Sequence, residues 1–127
     1  MNGLLIQSSN IDAILDGEKI WEMRSRITHQ RGRIALIRSG SGLIVGICDL
    51  IAVKGPLNCK QLEENRDKHL ASPSILLNPD RGKPRSIAWV LANARQLPEP
   101  IAYEHPRGAV IWVNLDQHPQ HDFLEAF

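Results

Sequence analysis

Three charged residues, Lys19, Glu22 and Arg24, lie close together near the start of the chain. They follow residues 10–16, whose apolar side chains have the spacing of one helix face. The apolar residues that separate them favour a strand, in which Glu22 and Arg24 would point to the same side. A carboxylate beside a guanidinium, with an ammonium group nearby, can recognise a planar ligand that forms hydrogen bonds. An ion pair on a solvated surface would have the same spacing.

The junction between this helix and this strand contains the residues that would orient Lys19. We predict that Gly17 ends the helix in the left-handed conformation, which leaves Lys19 in the turn. Ser9 or Asn10 can cap the start of the helix. The hydroxyls of Ser8 and Ser9 would either act as caps or face Lys19.

The segment from Gly17 to Arg24 matches the pattern GxKxxExR and resembles the signature of the ASCH domain family, a branch of the PUA-like superfamily. The resemblance covers roughly residues 3 to 115 and includes three further segments: Leu4–Gln7, Gly32–Leu36 and Ala88–Leu91 followed by Arg95. It implies an α+β fold, a small PUA-like β-barrel with two main helices and a cleft beside the signature. Ile20 departs from the pattern, because many relatives carry threonine there.

The resemblance implies binding of RNA or of a modified nucleoside in that cleft. The charged residues of the signature would read base edges or phosphate, and Trp21 or Trp89 would provide a plane on which a base stacks. Both tryptophans could instead pack in the core, and the aromatic content of 5% argues against a broad stacking platform. We expect the ligand-binding residues to be Lys19, Trp21, Glu22, Arg24, Arg38, Ser39 and Trp89.

An enzyme is the first alternative, because some ASCH relatives resemble nucleoside amidohydrolases and others resemble ribonucleases. Lys19 and Glu22 would then be the catalytic residues of a small hydrolase. Relatives that deacetylate cytidine carry threonine in place of Glu22 and a glutamate after the long helix, where residues 68–73 contain no acid. Ribonuclease chemistry would use Glu22 or His69 as the base and Lys19 or Arg24 to stabilise the phosphorane.

A module that binds a protein or a metabolite, without nucleic acid, is the second alternative. The net charge of +1 does not indicate nucleic acid, and the sequence carries no signal specific for DNA. The charge is nevertheless unevenly distributed: no aspartate or glutamate occurs between Met23 and Cys48, a stretch that holds five arginines. A second basic group lies at residues 81–85. Such local patches can bind phosphate, although arginines scattered around a barrel rim would have the same composition.

The length of 127 residues predicts one domain, residues 1–115, followed by a weakly docked tail, residues 116–127. We expect about six strands, including one over residues 43–53 in which Gly46 marks a bulge, one over residues 86–92 and a separate brief segment at 101–103. Asn58 and Gln61 form a capping-box pattern at the start of a helix over residues 58–70. The turn at residues 39–42 is either a plain hairpin or an anion-binding nest. The cysteine and histidine spacings predict no metal, and no cofactor is expected. We expect a cytoplasmic protein without membrane contact, since no leader or apolar run of ~20 residues is present. The oligomeric state is left open.

Overall fold

Six β-strands form one mixed sheet in the computed structural model, which describes residues 1–127. The strands are β1 (Asn2–Ile6), β2 (Trp21–Arg24), β3 (Gly32–Arg38), β4 (Leu43–Lys54), β5 (Ile87–Ala102) and β6 (Trp112–Asn114). Their order is β2-β5-β4-β3-β1-β6, with β1 parallel to β3 and the other neighbouring pairs antiparallel. The sheet curls into a half-barrel, which confirms the predicted α+β class.

The curl brings together strands that are not neighbours in the sheet. Trp89 of β5 stacks on Trp112 of β6 with ring centroids 5.7 Å apart, although three strands lie between β5 and β6. Arg24 of β2 donates a hydrogen bond of 2.7 Å to the carbonyl oxygen of Leu5 in β1, again across three strands. The inner face of the curl is therefore closed by side chains and not by a backbone ladder.

Five short α-helices surround the sheet: α1 (Ser8–Leu15), α2 (Cys59–Glu64), α3 (Arg66–His69), α4 (Pro73–Leu76) and α5 (His121–Ala126), with a 3₁₀ turn at Pro79–Arg81. The helix predicted over residues 58–70 is interrupted at Asn65, whose φ of −111° is not helical. The predicted capping box of Asn58 and Gln61 is present at the start of α2. None of these helices is long and apolar enough to span a membrane.

His69 is the last residue of α3, and both nitrogens of its ring form hydrogen bonds to backbone groups. It is buried, and its Nδ1 accepts a hydrogen bond of 3.1 Å from the backbone N–H of Ala71. The opposite nitrogen, Nε2, must therefore carry the proton that it donates to the carbonyl oxygen of Leu62 at 2.7 Å. Both ring nitrogens of His69 are therefore bonded to backbone groups.

Strand β5 is longer than the sequence predicts. A strand over residues 86–92 and a separate segment over 101–103 were expected, because Pro98 and Pro100 cannot donate to a ladder. The structure has one strand, in which the register with β4 shifts between Ile44 and Gly46. Residues 97–100 lie opposite this shift and have no ladder partner, so the prolines interrupt no backbone hydrogen bond. The bulge predicted at Gly46 is confirmed.

The tail is not weakly docked, and that expectation was wrong. Helix α5 covers the outer face of the sheet, where Leu124 is fully buried among Leu5, Ile37 and other residues of one apolar cluster. Arg33 donates a hydrogen bond of 3.2 Å to the carbonyl oxygen of Leu124. A sheet that curls around an inner core leaves its outer apolar face in need of a cover, and this helix supplies it.

We predict that Leu124→Ala lowers the free energy of unfolding by about 2–5 kcal/mol, because it removes a fully buried side chain from a packed cluster. Phe123→Ala is the matched control, since Phe123 is adjacent in the helix but 44% exposed. Urea unfolding followed by circular dichroism measures both variants. Equal losses for the two variants would show that α5 is not docked through Leu124.

Candidate functional site

The turn after α1 places Lys19 beneath the end of that helix. Gly17 has the predicted left-handed conformation, with φ of 79°. The backbone N–H groups of Glu18 and Lys19 then both donate to the carbonyl oxygen of Ala13, at 3.0 and 3.1 Å. The N–H of Ile20 donates to the carbonyl oxygen of Lys68 at 3.0 Å. The start of β2 is therefore held between α1 and α3.

Glu22 is buried between two cations. One carboxylate oxygen, Oε1, lies 3.3 Å from Nζ of Lys19, and the other, Oε2, accepts a hydrogen bond of 3.0 Å from Nη2 of Arg24. Lys19 and Glu22 are only 5% and 4% exposed, so this is an interior cluster and not a solvated surface pair. We call Lys19, Glu22 and Arg24 the ion cluster. The pairing of Glu22 with Arg24, predicted from strand alternation, is confirmed.

Arg24 holds the most contacts of the three. Besides Glu22 and the carbonyl oxygen of Leu5, its guanidinium lies over the ring of Trp89, 5.3 Å from the centroid. The indole N–H of Trp89 donates to the carbonyl oxygen of Arg26 at 2.8 Å. A planar cation is thus fixed by hydrogen bonds in its plane and by an aromatic face, a combination that lysine could not reproduce.

The ion cluster opens into a hollow of about 240 Å³, which we call the motif pocket. Its wall is formed by Leu5, Gln7, Asn10, Glu22, Met23, Arg24, Ser39, Arg85 and Val110. Glu22 and Arg24 reach this wall, as does the predicted Ser39. Lys19 does not; it is buried and contacts two residues of the wall, Glu22 and Asn10. The expectation that all three charged residues line one pocket therefore holds for two of them.

Besides Lys19, three predicted ligand-binding residues lie outside the motif pocket: Trp21, Arg38 and Trp89. Trp21 points to the other side of β2, because alternate residues of a strand face opposite sides. It packs with Leu62 and Leu76, and the ammonium groups of Lys54 and Lys68 lie over its ring at 5.6 and 5.2 Å.

Arg38 also lies outside the motif pocket. It forms an ion pair of 2.7 Å with Asp12 and donates a hydrogen bond of 2.7 Å to the hydroxyl oxygen of Ser8. Trp89 is 2% exposed and lines an adjoining hollow of about 270 Å³ with Arg24 and Arg26.

Asn10 is a site residue that sequence reasoning missed. It was expected to cap α1, but the helix begins at Ser8 after Gln7, with no side-chain cap. Asn10 therefore lies inside α1, where its Oδ1 accepts a hydrogen bond of 3.1 Å from Nζ of Lys19. The sequence did contain a hint of this role. Asn10 lies four residues before the buried Ile14, so its polar side chain shares the apolar face of α1 and needs a polar partner there.

The wall of the motif pocket offers both donors and acceptors. Because Oδ1 of Asn10 is bonded to Lys19, its Nδ2 is the group left for a ligand. Arg24, Arg85 and the hydroxyl of Ser39 add further donors, and Glu22 is the carboxylate acceptor on the wall. This arrangement suits a small planar group that both donates and accepts hydrogen bonds, or an anion beside it.

Breaking the ion cluster is expected to destabilise the fold. We predict that Glu22→Gln lowers the free energy of unfolding by about 3–5 kcal/mol, because it removes the only carboxylate between two cations. Glu63→Gln is the control, since Glu63 pairs with Arg66 at 3.6 Å but is 59% exposed, and should cost less than about 1 kcal/mol. Chemical unfolding measures the free energy of unfolding of both variants. Similar losses of stability in the two variants would contradict the assignment of Glu22 to an interior ion cluster.

Comparison with known proteins gives one family and one fold. The model of the ASCH domain matches residues 4–101, which is more than half of the chain. No curated protein matches the sequence.

Solved structures similar to this chain include the crystal structure of ASCH from Zymomonas mobilis, at 20% identity and a TM-score of 0.65 over 80% of this chain and 72% of the other. A single-residue variant of that protein superposes with a TM-score of 0.68 at 19% identity, over 89% of this chain and 87% of the other. At these identities the likeness concerns the fold.

Proposed function

The chain belongs to the ASCH domain family, and we propose that it binds single-stranded RNA, with one unpaired base held in the motif pocket. The observation that carries this proposal is the presentation of Glu22 and Arg24, both fixed by the ion cluster, on the wall of a solvent-accessible hollow. Proteins that read RNA sequence mostly bind unpaired bases through hydrogen bonds to their edges and through stacking.

The size of the motif pocket favours part of a polymer over a whole metabolite. Sites that enclose a small-molecule ligand usually measure about 300–1,000 Å³. The motif pocket, at about 240 Å³, is smaller, and further hollows adjoin it on two sides. A strand that places one group in this pocket and continues into its neighbours fits this arrangement better than a single compact ligand.

The chemistry of the wall matches the edge of a base. A carboxylate accepts hydrogen bonds from exocyclic amines, and a guanidinium or a side-chain amide donates to ring nitrogens and carbonyl oxygens. On this wall Glu22 is the carboxylate acceptor, and Arg24 and Asn10 are the donors. Adenine, cytosine and guanine each carry an exocyclic amine and an acceptor on the pairing edge, so this wall favours these bases over uracil, which has no exocyclic amine.

Arginines at the edges of the hollows are suited to the backbone of the same strand. Arg85 lies on the wall of the motif pocket, and Arg26 lies on the wall of the hollow beside Trp89. Arg26 belongs to the first basic segment of the sequence and Arg85 to the second. Glu22 is the only acidic residue on the walls of these two hollows. Phosphate contacts from such side chains position a nucleic acid without reading its sequence.

We propose binding and not hydrolysis, because the two residues considered for catalysis are not arranged for it. Lys19 lies off the pocket wall, where it is bonded to Glu22 and Asn10, so Glu22 would have to act without it. A general base has to come within hydrogen-bond reach of the proton that it removes. His69, the other base considered, is committed to backbone groups on both ring nitrogens.

Titration of fluorescent RNA octamers of cytidine, guanosine, uridine or adenosine at two salt concentrations tests the proposal. We predict that Arg24→Lys weakens binding of the preferred RNA about tenfold, because the charge remains but the fixed planar donors are lost. Arg85→Ala should weaken binding of every sequence and reduce the salt slope by about 0.7, the loss of one phosphate contact.

Arg66→Ala is the matched control for both variants. Arg66 is an exposed arginine on α3, the helix that packs against the Trp21 side of β2, away from the motif pocket. Its loss should leave affinity and salt slope unchanged. Absence of binding by the parent to all four octamers at low salt, or equal effects of all three variants, would contradict the proposal.

A further inference from the structure

A larger hollow lies directly beside the motif pocket and shares part of its wall. It measures about 570 Å³ and is lined by Leu5, Ser39, Gly40, Gly42, Tyr103, His105, Ala109 and Val110. We call it the turn pocket, after the Ser39–Gly42 turn. Leu5, Ser39 and Val110 belong to both pockets, so a ligand that fills one lies against the entrance of the other.

We infer that the turn pocket is a second nucleotide subsite, in which the base next to the one in the motif pocket stacks on His105 while the linking phosphate lies against the Ser39–Gly42 turn. This inference rests on the proposed function, because it concerns the same RNA strand. It extends that function from the reading of one base to the binding of a dinucleotide step.

The ring of His105 is held in place on the protein side. Its Nε2–H donates to the carbonyl oxygen of Ala109 at 2.9 Å, which leaves Nδ1 to accept a hydrogen bond of 2.9 Å from the hydroxyl of Tyr103. The two rings meet edge to face, with centroids 5.9 Å apart and an angle of 62° between their planes. Burial raises the pKa of Tyr103, so its hydroxyl remains a donor at neutral pH. An aromatic ring that is fixed at its edges but exposed to solvent can take a base on its face.

The Ser39–Gly42 turn presents backbone donors to the same hollow. The N–H groups of Ser39 and Ser41 are bonded to the carbonyl oxygens of Ile6 and Arg38, at 2.8 and 3.1 Å. The N–H groups of Gly40 and Gly42 have no acceptor within the protein, and both glycines have positive φ, 79° and 70°. Gly40 and Gly42 both line the turn pocket, so these two backbone amides are available to an anion there.

The two parts of the turn pocket form one unit. The N–H of Tyr103 donates to the carbonyl oxygen of Gly42 at 3.1 Å, which ties the segment that carries the rings to the turn that carries the amides. Val110, 77% exposed, stands at the boundary of both pockets as an apolar edge. The aromatic face would bind the base, the backbone amides the phosphate, and the apolar edge the sugar of one nucleotide step.

A length series tests this inference. Affinities of the four nucleoside 5′-monophosphates and of the matching 5′-phosphorylated homodinucleotides are measured by NMR titration of the full chain. We predict that the preferred dinucleotide binds the parent about tenfold more tightly than its mononucleotide, the gain expected from one stacked base. His105→Ala should abolish this gain and leave mononucleotide affinity unchanged, and His105→Phe, which keeps a planar ring, should retain part of the gain.

His118→Ala is the matched control. His118 is a half-buried histidine whose Nε2 also contacts a backbone carbonyl oxygen, that of Ala102 at 2.9 Å, but it lies outside both pockets. Its loss should preserve the dinucleotide gain. Equal affinities of mononucleotide and dinucleotide for the parent, or equal effects of His105→Ala and His118→Ala, would overturn the second subsite while leaving the motif pocket intact. Failure of the parent to bind mononucleotides, dinucleotides and octamers alike would overturn both.

Discussion

The burial of one carboxylate between two cations is the constraint on which the site depends. Removing charges from water costs several kcal/mol per ion, and this cost is offset only where each charge has well-placed partners. Glu22 meets that requirement through Lys19 and Arg24, which in turn contact Asn10 of α1 and the backbone of Leu5 in β1. One ion cluster thereby joins α1, β1 and β2, and the curl of the sheet brings these three elements together.

The same contacts fix the groups that a ligand would meet. Because Arg24 is held by a carboxylate, a carbonyl oxygen and the ring of Trp89, its donors are oriented before any ligand arrives. A preorganised wall loses little conformational freedom on binding, so a pocket as small as this one can still contribute to affinity. Glu22 also distinguishes the site from a plain basic patch, since a carboxylate among arginines reads hydrogen-bond donors and not phosphate charge. In the proposed function, phosphate attraction and base recognition are thus assigned to different residues.

Sequence reasoning predicted what depends on local periodicity and missed what depends on the tertiary fold. Strand alternation was enough to pair Glu22 with Arg24, and a glycine in a long apolar strand was enough to predict the bulge at Gly46. Alternation also separates Trp21 from Glu22, but no local signal tells which side of β2 carries the pocket. Arg85 and His105 reach the site from loops distant in sequence, and the docking of Leu124 depends on a sheet face that exists only after the strands have curled.

A crystal structure of the protein with a short single-stranded RNA is the decisive experiment, because it locates the ligand without relying on a variant. In the proposed binding mode one base lies in the motif pocket, with its pairing edge within hydrogen-bond distance of Glu22 and Arg24, and the ion cluster keeps its unbound geometry. RNA bound on the Trp21 side of β2, between Lys54 and Lys68, or a base that displaces Arg24 from Glu22, would contradict it.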